Sequence, residues 1–191
     1  FIPLISYKFA GVLKTMETNK IILLGYMGSG KSAVGSLLRE QLGTDYLDLD
    51  HYIEEKMKSN IPDIFNSKGE IYFRKMERHY LEEVLEIKNP LILSIGGGTP
   101  CYYDSMVYMN SLPGVITIYL NTSVKELSRR LFEAASDRPL LKHLDTMEAF
   151  QEFVGKHLFE RSVFYNQAQY SVRTDGKTIA EVVTEIKKIL T

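Results

Sequence analysis

The chain has 191 residues, of which 45% are hydrophobic and 25% charged, and its formal net charge is −1. This composition is typical of a globular protein of the size that usually forms one domain. A charge so close to zero argues against a broad basic surface for nucleic acid or an anionic membrane. The single cysteine, Cys101, excludes an internal disulfide and is typical of a reducing compartment.

The N-terminal stretch of residues 1–15, FIPLISYKFAGVLKT, lacks the clean apolar run and small-residue cleavage site of a signal peptide. Because regular patterns begin only near Lys20, we expect Met16 to be the natural start and residues 1–15 to be an extension outside the fold. No run of about 18 or more apolar residues occurs, so no membrane-spanning helix is predicted. The four histidines lack metal-ligand spacing and are interpreted as core or surface residues.

Five short segments predict β-strands; most are apolar, and residues 46–50 alternate apolar and acidic side chains. In chain order they are residues 21–24, 46–50, 91–95, 115–120 and 170–172. Helical patterns follow at 31–42, from about 52, at about 70–87, after a cap at Asn121, Thr122 or Ser123, at about 146–165 and at 178–189. Ile61-Pro62-Asp63 predicts a break, and residues 134–142, small and polar with one proline, predict a mobile loop.

Strands that alternate with helices predict parallel βαβ units. We therefore expect an α/β fold with three α/β/α layers and a central parallel five-stranded sheet, in one domain over residues 16–191. Ligands of such sheets bind at the carboxyl ends of the strands. Gly25, Asp48, Asp50 and Gly96 all lie at or just past predicted strand ends, which places the expected site there.

The strongest motif is the glycine-rich segment GYMGSGKS, residues 25–32, which matches G-x-x-x-x-G-K-[ST] in full. Its glycines allow backbone N–H groups to surround a phosphate, and the next helix N-terminus faces the same anion. Lys31 supplies a charge for the β- and γ-phosphates, and the Ser32 hydroxyl is a ligand for Mg²⁺. The motif predicts binding of a nucleotide with Mg²⁺.

A P-loop alone does not distinguish a kinase from a GTPase, a motor or a transporter ATPase. The guanine-reading pattern [NT]-K-x-D is missing after the P-loop, and motors and transporters are usually longer chains. A short chain with a P-loop, an acidic pair and an arginine in a loop favours a kinase for a small metabolite. A catalytically silent nucleotide-binding protein is the alternative from another class.

Asp48 and Asp50 are two residues apart on the predicted strand, so both side chains are expected on one side. One could lie near Mg²⁺ and the other could orient a substrate hydroxyl and take its proton. Helix capping is an equally simple explanation for both carboxylates.

The remaining candidates each have a plain structural alternative. Arg74 and Glu77 could form only a surface ion pair with Glu70. The triplet Gly96–Gly98 favours close backbone approach to a ligand but also suits a hinge. Three further arginines could bind charged groups of a ligand or simply be solvated: Arg130, Arg138 beside Pro139, and Arg161.

Six segments in order resemble the shikimate kinase family. They are GYMGSGKS at 25–32, DLD at 48–50, GEIYFRKME at 69–77, LSIGGG at 93–98, DRPLL at 137–141 and ERSVFY at 160–165. The resemblance runs from about Lys20 to the C-terminus. Ala33 departs from the family, which often has threonine there, and Thr99-Pro100 departs from its usual hydrophobic residue.

The resemblance implies a role for each matching residue. ATP contacts would come from Gly28, Ser29, Gly30, Lys31, Ser32, Ala33, Arg130 beside adenine and the lid residue Arg138. Substrate contacts would come from Asp50, Arg74, Gly97 and Arg161, with Glu77, Gly96 and Gly98 in support. The residues at the metal would be Ser32 and Asp48, and the catalytic ones would be Lys31, Asp50 and Arg138.

The implied reaction is transfer of the ATP γ-phosphoryl group to the 3-hydroxyl of shikimate, in aromatic amino-acid biosynthesis. A monomer in the cytoplasm, with a lid at 134–142 and no nucleic-acid or membrane partner, is expected. Another metabolite kinase on the same scaffold, such as a gluconate kinase, and a nucleoside monophosphate kinase are the nearest alternatives.

Overall fold

The computed structural model describes residues 20–134 and 144–191. The predictions about residues 1–15, Met16 and Arg138, and all of the predicted lid except Ala134, lie outside the described residues. The domain boundaries therefore stay predictions.

The five predicted strands form one sheet in which every described pairing is parallel. Their bounds are β1 Lys20–Leu24, β2 Asp45–Asp48, β3 Leu91–Ser94, β4 Val115–Asn121 and β5 Tyr170–Arg173. The order across the sheet is β2-β3-β1-β4-β5. Because β1 lies in the centre and all strands run the same way, the loops after β1, β2 and β3 meet at one edge.

Eight α-helices connect or follow these strands within the described residues. They are α1 Lys31–Leu42, α2 Leu49–Met57, α3 Ile61–Lys68, α4 Glu70–Leu85, α5 Ser105–Ser111, α6 Val124–Glu133, α7 Met147–Tyr165 and α8 Ile179–Ile189. A short 3₁₀ helix, Thr99–Cys101, follows β3.

Successive strand residues face opposite sides of the sheet and so divide the core into two clusters. Ile22 and Leu24 of β1 face the side covered by α2, α4, α5, α6 and α7. Ile21 and Leu23 face the side covered by α1 and α8. The predicted three-layer α/β/α fold is confirmed.

Capping residues explain why several helices begin where they do. The side chains of Ser123 and Thr178 accept hydrogen bonds from the backbone N–H of Glu126 and Glu181, at the starts of α6 and α8. Thr178 and Glu181 complete a reciprocal capping box. Ser123 is thus the cap among the three candidates of the sequence.

Two predicted boundaries are wrong. The second strand ends at Asp48, not at residue 50, and α2 begins at Leu49, not near residue 52. The break predicted at Ile61-Pro62-Asp63 is instead the first turn of α3. Proline is tolerated there because the first N–H groups of a helix have no partner within the helix, so its missing N–H costs no hydrogen bond. Helix α5, seven residues long, was not predicted. No helix among the described residues is long and apolar enough to cross a membrane.

Candidate active site

A cavity with a volume of about 680 Å³ opens at the carboxyl ends of β1, β2 and β3. Its walls combine the P-loop, an acidic pair, two arginines and an apolar strip. The main lining residues are Gly28, Gly30, Lys31, Ser32, Ala33, Asp48, Asp50, Phe65, Phe73, Arg74, Glu77, Gly96, Gly97, Gly98, His157 and Arg161. Most of the sequence-predicted candidates thus line one cavity, which they reach from five elements and two loops.

The P-loop links β1 to α1 and has the backbone that its glycines were predicted to allow. Gly28 and Gly30 have φ values of 84° and 98°, in a region that L-residues with a Cβ rarely adopt. Lys31 Nζ donates to the carbonyls of Gly25 and Tyr26, at 2.8 Å and 3.2 Å. The ammonium group therefore lies over the loop, where the N-terminus of α1 also favours an anion.

Asp48 and Asp50 both line the cavity but not as alternate residues of a strand. Asp48 ends β2 and caps α2, because its Oδ1 accepts the backbone N–H of Asp50 at 3.1 Å. Asp50 lies in the first turn of α2. The capping alternative is therefore correct for Asp48, and the same geometry turns Asp50 into the cavity.

The carboxyl group of Asp50 has a higher pKa than an ordinary aspartate. Burial, followed by the negative charges of Asp48 and Glu77, raises the pKa of Asp50 to about 6, although Lys31 and Arg74 act in the opposite direction. A carboxylate with a raised pKa is a better proton acceptor than an exposed one. Asp50 interacts with both Lys31 and Arg74, so it lies between the P-loop and the arginine side of the cavity.

Arg74 and Glu77 form a buried pair on α4. Arg74 Nη1 donates to Glu77 Oε2 at 2.8 Å, and Glu77 is 2% exposed. The other oxygen of Glu77 accepts the Thr99 hydroxyl at 2.7 Å. A buried carboxylate with both oxygens satisfied holds its partner in a fixed geometry, so this pair is more than a solvated surface contact.

Arg161 of α7 approaches the cavity from the opposite wall. Its guanidinium lies over the Tyr26 ring, 5.4 Å from the centroid. A Cβ built on Gly97 would lie 3.6 Å from Arg161 Nη1 and 3.5 Å from the Tyr165 hydroxyl, so the glycine backbone lies against both. Tyr165 donates to the Gly97 carbonyl at 2.6 Å. Within the described part of the chain, Arg161 has no carboxylate ion-pair partner, whereas Arg74 has two.

The glycine triplet lies against site residues of the protein itself. A Cβ on Gly96 would lie 2.8 Å from Asp50 Oδ1, and one on Gly98 would lie 2.7 Å from Arg74 Nη2. Distances this short are not tolerated between nonbonded atoms, so Asp50 and Arg74 would have to move. The triplet is therefore required for the positions of these two side chains, beyond any close approach of a ligand.

Two predicted ATP-site residues, Ser29 and Arg130, do not line the cavity, and a third lies outside the described residues. Ser29, within the P-loop, is buried and is not among the cavity-lining residues. Arg130 of α6 lies against the loop from outside the cavity, where its Nη1 donates to the Gly28 carbonyl at 3.1 Å and its Nε to Glu126 at 2.8 Å. Arg138 lies outside the described residues.

Sequence reasoning missed several residues at the site. Thr99 was treated only as a departure from the family, yet it holds Glu77. His157, interpreted as a core or surface residue, lines the cavity and shares a hydrogen bond with the Tyr26 hydroxyl, 3.1 Å apart. Its position four residues before Arg161, on the same face of α7, was an available signal.

The donor set near the P-loop fits Mg²⁺. Ser32 and Asp48 line the same cavity and offer a hydroxyl and a carboxylate, the oxygen ligands that this ion prefers. Across the described residues, no cluster of three or more His, Cys, Asp or Glu side chains could form an all-protein metal site. That suits Mg²⁺ bound with few protein ligands plus water and phosphate oxygens.

A parallel sheet with a P-loop after its central strand, and a cavity that joins that loop to a carboxylate and two arginines, defines the class of P-loop kinases acting on small metabolites. The family model for shikimate kinase matches residues 27–191. A shikimate kinase from Flavobacterium psychrophilum is 43% identical over 171 residues, which cover 90% of this chain and 98% of that protein.

Solved structures of shikimate kinases have the same fold as this chain. A crystal structure of shikimate kinase from Bacteroides thetaiotaomicron is 36% identical and has a TM-score of 0.81, with 90% of this chain and 97% of that chain covered. A shikimate kinase from Acinetobacter baumannii in complex with shikimate is 31% identical with a TM-score of 0.79, covering 93% and 96%. A gluconokinase from Sinorhizobium meliloti, 17% identical with a TM-score of 0.54, shares the fold alone. This chain belongs to the shikimate kinase family.

Proposed function

We propose that this chain transfers the γ-phosphoryl group of ATP to the 3-hydroxyl of shikimate, within aromatic amino-acid biosynthesis. The observation that carries the proposal is that one cavity contains the phosphate-binding loop, the carboxylate of Asp50 and two arginines from different helices. Shikimate has the matching groups, namely one carboxylate and several ring hydroxyls. A gluconate kinase shares the need for the P-loop but has less reason for the paired arginines and the glycine triplet.

Arg74 and Arg161 would bind the substrate carboxylate from two sides. A guanidinium offers two parallel N–H donors that match a carboxylate, which fixes both the position and the orientation of the ring. The backbone N–H of Gly97 would add a third donor. Glu77 keeps the Arg74 guanidinium in place, and Tyr165 keeps the Gly97 peptide in place.

Asp50 would orient the reacting hydroxyl and accept its proton as the phosphoryl group transfers. Lys31 and, from the lid, Arg138 would neutralise negative charge on the phosphoryl group, which is the main requirement of this reaction. Ser32 and Asp48 would hold Mg²⁺, and the ion would supply further neutralisation of negative charge. Arg130 would lie beside adenine, since it already contacts the outer side of the P-loop.

A coupled ADP-release assay with ATP, Mg²⁺ and shikimate tests the proposal. Gluconate and a reaction without acceptor are the controls, and Asp50→Asn is the matched variant. We expect shikimate-dependent turnover that falls by about 100-fold or more in Asp50→Asn, as for loss of a general base. Turnover that does not respond to shikimate would overturn the substrate assignment. Cytoplasmic location, a monomeric state and the lack of nucleic-acid or membrane partners stay predictions.

A further inference from the structure

The Arg74 guanidinium is bordered by an aromatic ring that belongs to none of the family motifs identified in the sequence. Tyr102 follows the 3₁₀ helix Thr99–Cys101, and Arg74 Cζ lies 4.1 Å from the centroid of its ring. The Arg74 side chain is only 13% exposed, whereas Tyr102 is 37% exposed. Tyr102 is not among the residues that line the cavity, so any effect of its side chain on a substrate acts through Arg74.

The Tyr102 hydroxyl and the Arg74 guanidinium share one carboxylate oxygen. Tyr102 donates to Glu70 Oε1 at 2.6 Å, while Arg74 Nε and Nη2 both lie 3.4 Å from that same oxygen. A separation of 2.6 Å is a short hydrogen bond to a charged acceptor, and 3.4 Å is beyond the usual range. Glu70 is therefore engaged mainly by the tyrosine and only weakly by the arginine.

This arrangement affects which arginine donors a substrate can use. Arg74 Nη1 is committed to Glu77 at 2.8 Å, so Nε and Nη2 are the donors that face Glu70. If Glu70 moved closer, its carboxylate would occupy the donors that an incoming carboxylate needs. Glu70 is on the same helix, one turn before Arg74, which makes such a closer pair sterically simple.

We propose that Tyr102 is a positioning residue that, by binding Glu70, keeps that carboxylate from closing onto Arg74 and so leaves the arginine edge available for the substrate carboxylate. The inference rests on the proposed function, in which Arg74 binds that carboxylate. The ring and the hydroxyl of Tyr102 have separate roles: the ring packs against the planar guanidinium of Arg74 and restricts its orientation, and the hydroxyl binds Glu70.

The decisive experiment is a double-mutant cycle on Tyr102→Phe and Glu70→Gln, with KM for shikimate, KM for ATP and kcat measured for each variant. Tyr102→Phe keeps the ring and removes only the hydroxyl. We expect KM for shikimate to rise about 3- to 10-fold, with KM for ATP and kcat changed by less than about twofold, because only a competitor for substrate binding has been released. Glu70→Gln in the same chain should return KM to within about twofold of wild type, since the competitor has lost its charge.

Tyr103→Phe is the matched control, because the neighbouring tyrosine is 60% exposed, and it should leave KM unchanged. Glu70→Gln alone should leave KM for shikimate unchanged or lower it. This variant tests whether Glu70 competes with the substrate carboxylate for Arg74, even if Tyr102→Phe is too unstable to assay. An unchanged KM in Tyr102→Phe, or a raised KM that Glu70→Gln does not correct, would overturn the role of Tyr102 and leave the proposed function intact. Wild-type turnover without dependence on shikimate would instead overturn the proposed function, and this inference with it.

Discussion

At the residue scale, Asp50 shows a conflict between stability and the proposed catalysis. Its carboxyl is buried beside two other carboxylates, and the resulting pKa of about 6 exceeds the ordinary value of 3.8. A group whose folded-state pKa is raised binds its proton more tightly in the folded protein. Its contribution to stability is therefore complete at low pH and is lost as the pH rises through about 6.

We expect Asp50→Asn to raise the free energy of unfolding of the ligand-free protein by about 1–2 kcal/mol at neutral to alkaline pH, while it removes turnover. The gain should shrink as the pH falls through about 6 and disappear only well below 3.8, where the aspartate is protonated in both the folded and the unfolded state. Urea unfolding across this pH range measures the effect.

Asp63→Asn is the control for this prediction. Asp63 also lies in the first turn of a helix, α3, but it is exposed. Its replacement should give no such gain at alkaline pH. A result in which Asp50→Asn is less stable than wild type at alkaline pH would contradict the prediction. It would mean that the favourable interactions of the carboxylate with Lys31, Arg74 and the helix N-terminus outweigh the cost of its burial.

At the element scale, the packing of α1 against β2 depends on a glycine inside a helix. Gly35 of α1 is buried, and a Cβ built on it would lie 2.3 Å from Cε2 of Tyr46. Glycine in a helix interior costs about 1 kcal/mol relative to alanine. The absence of a side chain is therefore required by tertiary packing, against the local preference of the helix.

Two glycine substitutions should thus have opposite effects. We expect Gly35→Ala to destabilise the protein by about 1–2 kcal/mol, because an overpacking cost of about 1–3 kcal/mol exceeds the gain in helix propensity. Gly155→Ala in α7 should stabilise the protein by about 0.5–1 kcal/mol, since a new Cβ would make only an ordinary contact, with Val124 Cγ1 at 3.8 Å.

Thermal and urea unfolding of both variants measure this pair of effects. If both alanine substitutions destabilised the protein, or both stabilised it, the space around each glycine would not determine whether the change in the free energy of unfolding is positive or negative. Because α1 begins at the P-loop, Gly35→Ala should also weaken ATP binding if the helix shifts to relieve the contact with Tyr46.

At the scale of the whole molecule, two apolar clusters are built on the two faces of one sheet. Val154 of α7 belongs to one cluster and Val183 of α8 to the other, and both are fully buried. Neighbouring residues of β1 contribute to both, so loss of one cluster exposes the strand that the other needs. The described part of the chain should therefore unfold as one cooperative unit.

We expect Val154→Ala and Val183→Ala each to lower the midpoint of the same single thermal transition, by about 4–8 °C for a loss of about 2 kcal/mol. Far-UV circular dichroism and the near-UV signal of the tyrosines should report the same midpoint in each variant. The chain has no tryptophan, so tyrosine is the natural probe of tertiary packing. Two separate transitions would mean that the faces unfold independently, contrary to the single domain predicted.

Much of the architecture could be predicted because it depends on local pattern. Continuous apolar runs predicted β1, β3 and β4, alternation of apolar and acidic residues predicted β2, and the match of GYMGSGKS predicted the loop between β1 and α1. The errors lie where strand and helix patterns meet: the alternation in Asp48-Leu49-Asp50 resembles a strand, but Asp48 caps a helix that begins at Leu49, about three residues before the predicted start. Short helices such as α5 were missed because seven residues contain too little periodicity.

The sequence by itself determined the class of fold, the phosphate-binding loop and the set of charged residues that the family resemblance assigns to a site. The tertiary structure decided which of those residues share a cavity and what holds them there. Thr99 on Glu77, Tyr165 on Gly97 and Tyr102 on Glu70 join positions 22, 68 and 32 residues apart along the chain. Such contacts leave no periodic signal in one sequence, because they depend on how loops after different strands meet at one edge of the sheet.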